Sequence, residues 1–281
     1  KGSPREEGYV AMQIADRVFV VTGGGNGIGR EVVLELLRRG ARVAAVDLSE
    51  EGLAETVRLS GVRDSRITTH VVNVADRAAV DALPEAVVAA HGQVDGVLNI
   101  AGIIQRFVHV EDLAIEEIER VFAVNFWGTL YMDRAFLPLL KQRPAAALLN
   151  VSSMGGLVPV PGQGAYGASK GAVKLLTETL FAELRGSSVA VTVVFPGAIG
   201  TNITANSGVE VPGMDKVMAS GKTPKTTAPD DAARQIVDAV AKGQFRLLIG
   251  NDARMLDGMA RMTPTRAITT VADQMKKMLG I

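Results

Sequence analysis

The sequence predicts an α/β fold: a single-domain, doubly wound, seven-stranded parallel sheet with helices on both faces. Short apolar segments alternate with longer segments of helical periodicity, the order that strands and crossover helices follow in such sheets. The apolar segments are hydrophobic at nearly every position, which is typical of strands buried on both faces. A glycine-rich turn follows the first of them, as in nucleotide-binding α/β proteins.

The elements follow from these patterns in chain order. Strands are predicted at Arg17–Gly23, Ala41–Leu48, Arg66–Val74, Val94–Gly102, Ala145–Ser153, Val189–Gly197 and Phe245–Gly250. Helices are predicted at Ile28–Arg39, Asp76–His91, Glu116–Lys141, Gly164–Arg185 and Asp230–Lys242. Proline disfavours a helix interior, so Pro84 should weaken the second helix and Pro138 should bend the end of the third.

Composition narrows the possible functions. The 30 basic and 30 acidic residues balance and aromatic residues are only 4%, so nothing favours nucleic acid or a membrane surface as a partner. There is no cysteine, and the three histidines are scattered, so no disulfide and no metal site is expected. Residues 1–11 lack the apolar core of a signal peptide and are interpreted as an N-terminal extension or cloning remnant. We expect a cytoplasmic protein with one domain over residues 12–281.

The glycine-rich turn Thr22–Gly29, TGGGNGIG, lies between the first strand and the first helix. Glycines let the backbone approach a pyrophosphate, and the helix N-terminus favours its charge. The predicted cofactor contacts here are Gly23, Gly25, Asn26, Gly27, Ile28 and Gly29. The alternative is a purely structural turn, since the spacing differs from that of G-x-G-x-x-G.

Asp47 ends the second strand, 18 residues beyond Gly29. A carboxylate there can accept hydrogen bonds from the adenosine ribose and repels a 2′-phosphate. Leu48 and Ser49 follow it, so no basic residue is available to bind that phosphate. NAD is therefore the predicted cofactor, with Asp47 and Leu48 as contacts, unless Asp47 is simply a turn residue.

Ser153, Tyr166 and Lys170 form the candidate catalytic group. Tyr166 follows Ser153 by 13 residues, and Lys170 follows Tyr166 by four, which places the last two on one helix face. A nearby ammonium should lower the phenol pKa from its usual value near 10 and make it a usable acid and base. The Ser153 hydroxyl could hold a substrate oxygen. The alternative is an ordinary amphipathic helix face.

The ordered motifs resemble the short-chain dehydrogenase/reductase family, in its TGxxxGIG and YxxxK branch. The motifs are TGGGNGIG, Asp47, Asn99-Ile-Ala-Gly102, Asn125 in VNFWG, Ser152-Ser153, Tyr166-x-x-x-Lys170, and Pro196-Gly197 followed by Thr201. The likeness spans about Met12 to Arg261 and implies a Rossmann-type fold with Ser153, Tyr166, Lys170 and Asn125 as the catalytic set. It also implies that Asn125 holds a relay water and that Lys170 binds the nicotinamide ribose.

The resemblance extends the cofactor site along the chain. It implies backbone contacts from Asn99 and Ala101, a carboxamide contact from Ile199 and a pyrophosphate contact from Thr201. Asn73-Val74 stands where the family usually has Asp, yet an Asn carbonyl can still accept from an adenine amine. Ile100 replaces a common Asn. The predicted cofactor residues therefore also include Asn73, Val74, Gly102, Tyr166, Lys170, Pro196 and Gly197.

The predicted substrate is a neutral, largely apolar secondary alcohol or ketone. A lid is expected at 202–227, and the residues predicted to touch substrate are Ser153, Met154, Gln163 and Tyr166. The expected pocket floor is uncharged: Met154, Gly155, Val160, Gln163 and Phe195. An unpaired charge would be costly to bury there.

Two other functions remain open, and an assembly is expected. The chain could be a 3-ketoacyl-thioester reductase, although Asp47 disfavours the NADPH that such enzymes usually take. It could also be a catalytically silent NAD-binding sensor, although such a protein should have lost Tyr166, Lys170 or Ser153. The long predicted helices carry apolar residues on more faces than one sheet can cover, so we expect an oligomer with two-fold symmetry. The resemblance implies a homotetramer.

Overall fold

A computed structural model describes residues 11–62, 65–201, 203–210 and 226–279. Seven strands form one parallel sheet in the order β3-β2-β1-β4-β5-β6-β7. They are β1 Val18–Thr22, β2 Arg42–Asp47, β3 Ile67–Val71, β4 Gly96–Asn99, β5 Ala146–Val151, β6 Val189–Pro196 and β7 Arg246–Ile249. The predicted doubly wound α/β fold and all seven predicted strands are confirmed.

Ten α-helices lie in the described part of the chain. They are α1 Gly27–Arg38, α2 Glu50–Ser60, α3 Arg77–His91, α4 Ile115–Phe122, α5 Thr129–Leu140, α6 Gly164–Glu183, α7 Ile203–Asn206, α8 Pro229–Lys242, α9 Asn251–Met262 and α10 Pro264–Leu279. Pro84 lies inside α3 and Pro138 inside α5, two residues before that helix ends at Leu140.

Both faces of the sheet are buried, as the continuous apolar strands predict. Phe19 and Val21 of β1 belong to a core that includes α1 and α8, whereas Val18 and Val20 belong to a core with α3, α5 and α6. Successive side chains of a strand point to opposite faces, so one apolar strand supplies both cores.

The helical predictions were incomplete. The helix predicted at Glu116–Lys141 is confirmed as one continuous helical segment over residues 115–140, which a π-helical turn at Ala123–Gly128 divides into α4 and α5. Helix α2 was not predicted, although Ser49 caps it and two glutamates occupy its first turn. The C-terminal pair α9 and α10 was not predicted either.

The strand order places a crevice at the carboxyl ends of β1 and β4. These neighbours send their following connections to opposite sides of the sheet, and ligands of open α/β sheets bind at such a switch point. The predicted lid at 202–227 lies largely outside the described residues, which include 203–210 and 226–227 of it. Of the predicted extension, only Ala11 is described, and the N–H of Met12 already donates to the Ala241 carbonyl at 3.0 Å.

Candidate active site

The glycine-rich turn is packed so closely that side chains are excluded. Gly23 has a φ of 72°, and a Cβ there would lie 3.1 Å from the Ala101 backbone. A Cβ on Gly29 would collide with the Gly23 carbonyl oxygen, which fixes where α1 begins. The turn therefore presents bare backbone at the crevice, as a bound pyrophosphate requires.

Asn26 lies within this turn, and Thr201 lies against it from the loop after β6. The Asn26 side chain caps α1 by accepting from Gly27 N at 2.7 Å, and it donates to Asn206 Oδ1 at 3.1 Å. A Cβ on Gly27, whose φ is 52°, would lie 3.6 Å from Thr201. The structure thus brings the predicted pyrophosphate contacts Gly27, Ile28 and Thr201 together.

Asp47 is held in a backbone cradle at the end of β2. Its Oδ2 accepts from Gly25 N at 2.9 Å, and its Oδ1 accepts from Ser49 N at 2.9 Å. A Cβ on Gly25 would lie 2.9 Å from the carboxyl carbon, so only glycine allows this contact. Each carboxylate oxygen keeps a further acceptor position, and Leu48 beside it is 69% exposed. These residues fit an adenosine ribose.

Arg30 is a part of this region that the sequence reasoning missed. Its guanidinium donates to the Gly25 and Gly52 carbonyls and, at 3.1 Å, to Thr56 Oγ1. It therefore fastens α2 to the glycine-rich turn. No local pattern indicates this role, because the partners come from a helix that was itself unpredicted.

Asn73 and Val74 follow β3 at the same edge. Asn73 is exposed, and its Oδ1 accepts from Ala75 N at 3.0 Å, which leaves one lone pair for an adenine amine. Val74 is buried against Gly128, where a Cβ would lie 2.8 Å from a Val74 methyl.

A buried polar network lies beneath the end of β4. Asn99 Nδ2 donates to Asp133 Oδ1 at 2.8 Å and to Asn150 Oδ1 at 2.9 Å, and Asn150 donates to the other Asp133 oxygen. Burial raises the pKa of Asp133 to about 7, although the two asparagines oppose the rise. The resemblance implies a cofactor contact from the Ala101 backbone, whose N–H donates to Thr22 Oγ1 at 3.1 Å, and that contact stays a prediction. The Asn99 side chain thus supports the motif from below.

Ser153 and Tyr166 meet above this network. Ser153 follows β5, and its Oγ accepts from Gly155 N at 3.1 Å. Burial raises the pKa of the Tyr166 phenol, while a hydrogen bond with Ser153 opposes the rise. The neighbouring Ser152 instead donates to the Lys170 carbonyl at 2.7 Å. The 13-residue spacing therefore identifies the serine that faces Tyr166.

Lys170 lies on the same face of α6 and is buried. Its Nζ donates to the Val151 carbonyl at 3.0 Å, and burial lowers its pKa to about 8. The expectation that this ammonium lowers the Tyr166 pKa is wrong for this arrangement. Burial outweighs every opposing effect on the phenol, and the opposing group is Ser153 rather than Lys170.

Asn125 comes from the π turn between α4 and α5. Its Oδ1 accepts from Ile103 N at 2.9 Å, and its Nδ2 donates to the Ile103 carbonyl and to Ser169 Oγ, both at 3.0 Å. A Cβ on Gly102 would lie 3.0 Å from Lys170 Nζ and 3.2 Å from Asn125 Oδ1. The glycine thus lets the end of the β4 motif touch both residues. A relay water at Asn125 stays a prediction.

The remaining predicted cofactor contacts are Pro196, the last residue of β6, and Gly197 and Ile199 in the loop that follows. Gly197 N donates to the Ile249 carbonyl at 2.9 Å, and Ile199 bridges to Thr227. Asp252, in the first turn of α9, accepts from Ala198 N at 2.7 Å. A Cβ on Gly197 would collide with the Asp252 carboxylate. The sequence reasoning missed Asp252 because it missed α9.

The other residues predicted to contact substrate or to form the pocket floor differ in how deeply they are buried. Met154 is half-buried and packs against a small core formed by α9, α10 and Val158. Gln163 is only 4% exposed, and its amide nitrogen donates to the Gln105 carbonyl at 2.9 Å. Phe195 is wrong as a floor residue, since it is fully buried beneath the Arg246 guanidinium, 4.3 Å from the ring centre.

The described residues offer neither a membrane-spanning helix nor a metal-binding cluster. No helix in the ranges given above is both long and apolar enough to cross a membrane. Over those same ranges, no three histidine, aspartate or glutamate side chains cluster closely enough to hold a metal ion.

Comparisons with known proteins agree with this geometry. The family model described as short chain dehydrogenase matches residues 17–211. A Mycobacterium tuberculosis protein named as an oxidoreductase, SadH, is 39% identical over 259 residues, which cover 88% of this chain and 90% of that protein.

Solved structures match over nearly the whole chain. A short-chain dehydrogenase/reductase from Burkholderia phymatum in complex with NAD superposes with a TM-score of 0.82, at 26% identity, over 92% of this chain and 97% of that one. A short-chain dehydrogenase from Burkholderia cenocepacia in complex with NADP gives a TM-score of 0.77, at 26% identity, over 92% and 99%. Family model, relative and structures agree, and the chain belongs to the short-chain dehydrogenase/reductase family of oxidoreductases.

Proposed function

We propose that this protein is an NAD(H)-dependent oxidoreductase that interconverts a secondary alcohol and a ketone, with Tyr166 as the acid and base. The observation that carries the proposal is the proximity of Ser153 and Tyr166 beside Lys170: a Cβ on Gly155 would lie 3.5 Å from Ser153 Oγ and 3.6 Å from the Tyr166 ring, at the sheet edge that also holds the Asp47 cradle. A reacting group and a dinucleotide cradle at one crevice support hydride-transfer chemistry.

The residues that would hold the cofactor run along the carboxyl edge of the sheet. The Asp47 cradle suits the adenosine ribose, the glycine-rich turn suits the pyrophosphate, and the loop after β6 suits the carboxamide. When bound, a nicotinamide dinucleotide supplies or accepts the hydride. The preference for NAD over NADP rests on the Asp47 charge, since relatives with each cofactor share the fold.

The proton is handled by Tyr166 and Ser153. In ketone reduction, the Tyr166 hydroxyl donates its proton to the carbonyl oxygen as that oxygen becomes a hydroxyl, while Ser153 donates a hydrogen bond to hold it. In alcohol oxidation, the phenolate accepts that proton. Burial raises the pKa of Tyr166, so the neutral phenol, the form that donates the proton in ketone reduction, predominates at neutral pH.

Replacing Tyr166 by Phe tests this role. The change removes the hydroxyl and keeps the ring, so turnover should fall by roughly 10²–10⁴ while NADH still binds. Tyr131→Phe is the matched control, because Tyr131 stacks on Trp127 at a centroid distance of 6.0 Å, outside the catalytic group. A Tyr166→Phe enzyme that keeps most of its kcat would refute the assignment. A parent enzyme that binds NADH yet turns over nothing would favour the silent sensor.

The proposed substrate class is a neutral, largely apolar alcohol or ketone. Half-buried Phe107, Met154, Leu157 and Val160 continue from the Ser153 loop to α9 and α10 as an apolar surface. Such a surface desolvates apolar groups and gives a carboxylate no partner. A panel that pairs each neutral ketone with its carboxylate analogue tests this class. Higher kcat/KM for the carboxylates would rule it out and favour acidic substrates, among them 3-ketoacyl thioesters of coenzyme A.

A further inference from the structure

The segment Ile103–Arg106, here called the strap, follows the β4 motif and attaches to four parts of the site. Ile103 N donates to Asn125 Oδ1 at 2.9 Å, and Ile104 N donates to Ser207 Oγ at 3.1 Å. Arg106 N donates to Glu117 of α4 at 2.7 Å. The remaining strap residue, Gln105, attaches to the catalytic helix α6.

Gln105 is fully buried and uses both ends of its side chain at the start of α6. Its Oε1 accepts from Tyr166 N at 2.9 Å, and its Nε2 donates to the Gly162 carbonyl at 3.2 Å. Its main-chain carbonyl accepts from Gln163 Nε2 at 2.9 Å. One residue therefore binds three positions within a five-residue stretch that ends at Tyr166.

Helix α6 needs this contact because it lacks an ordinary cap. A helix leaves its first backbone N–H groups without intrahelical acceptors, and an N-cap side chain usually supplies one. The N-cap residue Gln163 makes no such bond. The orphan N–H of Tyr166 is instead satisfied by Gln105, 61 residues earlier in the chain.

We propose that Gln105 is a positioning residue for catalysis: it holds the first turn of α6 so that the Tyr166 hydroxyl stays against Ser153. The inference rests on the proposed role of Tyr166. Because the strap is continuous with the motif Asn99–Gly102, the same bond also fixes Tyr166 relative to the cofactor side of the crevice. A displacement of about 1 Å at a reacting group can lower the rate on the order of 10²-fold.

Gln105→Met and Gln105→Glu form the test pair. Met keeps the length and removes both side-chain hydrogen bonds. Glu keeps the acceptor for Tyr166 N at a helix end that favours negative charge, and only its protonated form can also donate to the Gly162 carbonyl. We expect Met to lower kcat for acetophenone reduction by about 10- to 100-fold with little change in the Kd for NADH by fluorescence. Glu should recover most of that loss. Thr192→Val, which removes one buried hydrogen bond to the Gln244 carbonyl, controls for general destabilisation.

Amide hydrogen exchange over residues 160–172 gives a readout that does not depend on turnover. Exchange at the start of α6 should speed up in Gln105→Met and return towards the parent rate in Gln105→Glu. Equal kcat in Met and parent, a Glu variant no better than Met, or the same kcat loss in Thr192→Val would each overturn the inference. If the parent reduces no ketone, the proposed function fails instead, and unchanged exchange in Gln105→Met would still overturn the positioning role.

Discussion

The Asp47 carboxylate should set the cofactor preference, and Asp47→Asn tests its charge with little change in shape. The side chain accepts one backbone N–H at each oxygen, from Gly25 and Ser49, both at 2.9 Å. An amide has one oxygen, so the variant keeps one of these bonds and turns its NH₂ group towards the other N–H. The variant thus removes the charge at the cost of one hydrogen bond.

The magnitude follows from the charge and from that lost bond. For an assumed separation of about 5 Å between the carboxylate and a 2′-phosphate, one like-charge pair costs roughly 3 kcal/mol at an effective dielectric constant of ~20. Partial exposure of Asp47 screens this repulsion, so the parent should prefer NAD by at least roughly tenfold. The lost hydrogen bond lies within the protein, so it should lower the free energy of unfolding by about 1 kcal/mol and affect NAD and NADP binding alike. Asp47→Asn should therefore reduce the preference for NAD over NADP, mainly by raising kcat/KM for NADP.

The assay is kcat/KM for each cofactor, followed through the absorbance of the reduced nicotinamide with one saturating alcohol. Glu51→Gln is the matched control, because it removes one exposed negative charge in the first turn of α2 and leaves the cradle intact. Comparable kcat/KM for NAD and NADP in the parent would refute the reasoning. An equal change of cofactor preference in Glu51→Gln would also refute it, because the preference would then depend on the net surface charge and not on Asp47.

Three further predictions concern assembly, the α9 contact and acid stability. The protein should be a homotetramer by light scattering, with 46% exposed Trp127 and 63% exposed Leu175 in an interface, and a monomeric mass at micromolar concentration would contradict it. Asp252→Ala should weaken NADH binding, because the loop after β6 loses its bond at Ala198, while Asp252→Asn keeps an acceptor and should bind nearly as the parent does. Burial lowers the pKa of His91 from 6.5 to about 4, with smaller contributions from the charges of Arg42 and His70. Between pH 6.5 and pH 4 the unfolded chain therefore binds a proton at His91 that the folded protein does not. The free energy of unfolding should therefore fall by up to about 3 kcal/mol as pH drops from 6.5 to 4, and His91→Gln, unlike the exposed His109→Gln, should flatten that fall in denaturant titrations.

Most of the fold could be predicted from the sequence because its strands are buried on both faces. Continuous apolar segments mark such strands even without alternation, and most of the long helices between them show a helical periodicity. The π turn could not be predicted in this way, since AVNFWG continues the helical pattern on both sides. Helix α2 did carry a signal, a serine cap followed by Glu50 and Glu51, that the apolar pattern alone overlooked. The cytoplasmic location stays a prediction.

In the candidate site, residues placed by local spacing could likewise be predicted, and residues placed by long-range contacts could not. Ser153, Tyr166 and Lys170 could be predicted because a strand end and one helix face place them by local spacing. Gln105 and Asp252 could not, because their partners lie 61 and 54 residues away and only the tertiary structure brings them together. A buried glutamine in a loop gives no periodic signal.

Close packing between distant segments explains why glycine recurs around the crevice. Gly102 leaves room for Lys170 and Asn125, Gly25 leaves room for Asp47, and Gly197 leaves room for Asp252. In each pair the glycine lies in a loop at a strand end, and the side chain it admits comes from another element. The sequence shows that a glycine is present, but only the structure shows which side chain from another element requires the space. The positions of these charged and amide groups are therefore constrained by close contact with the backbone of another segment.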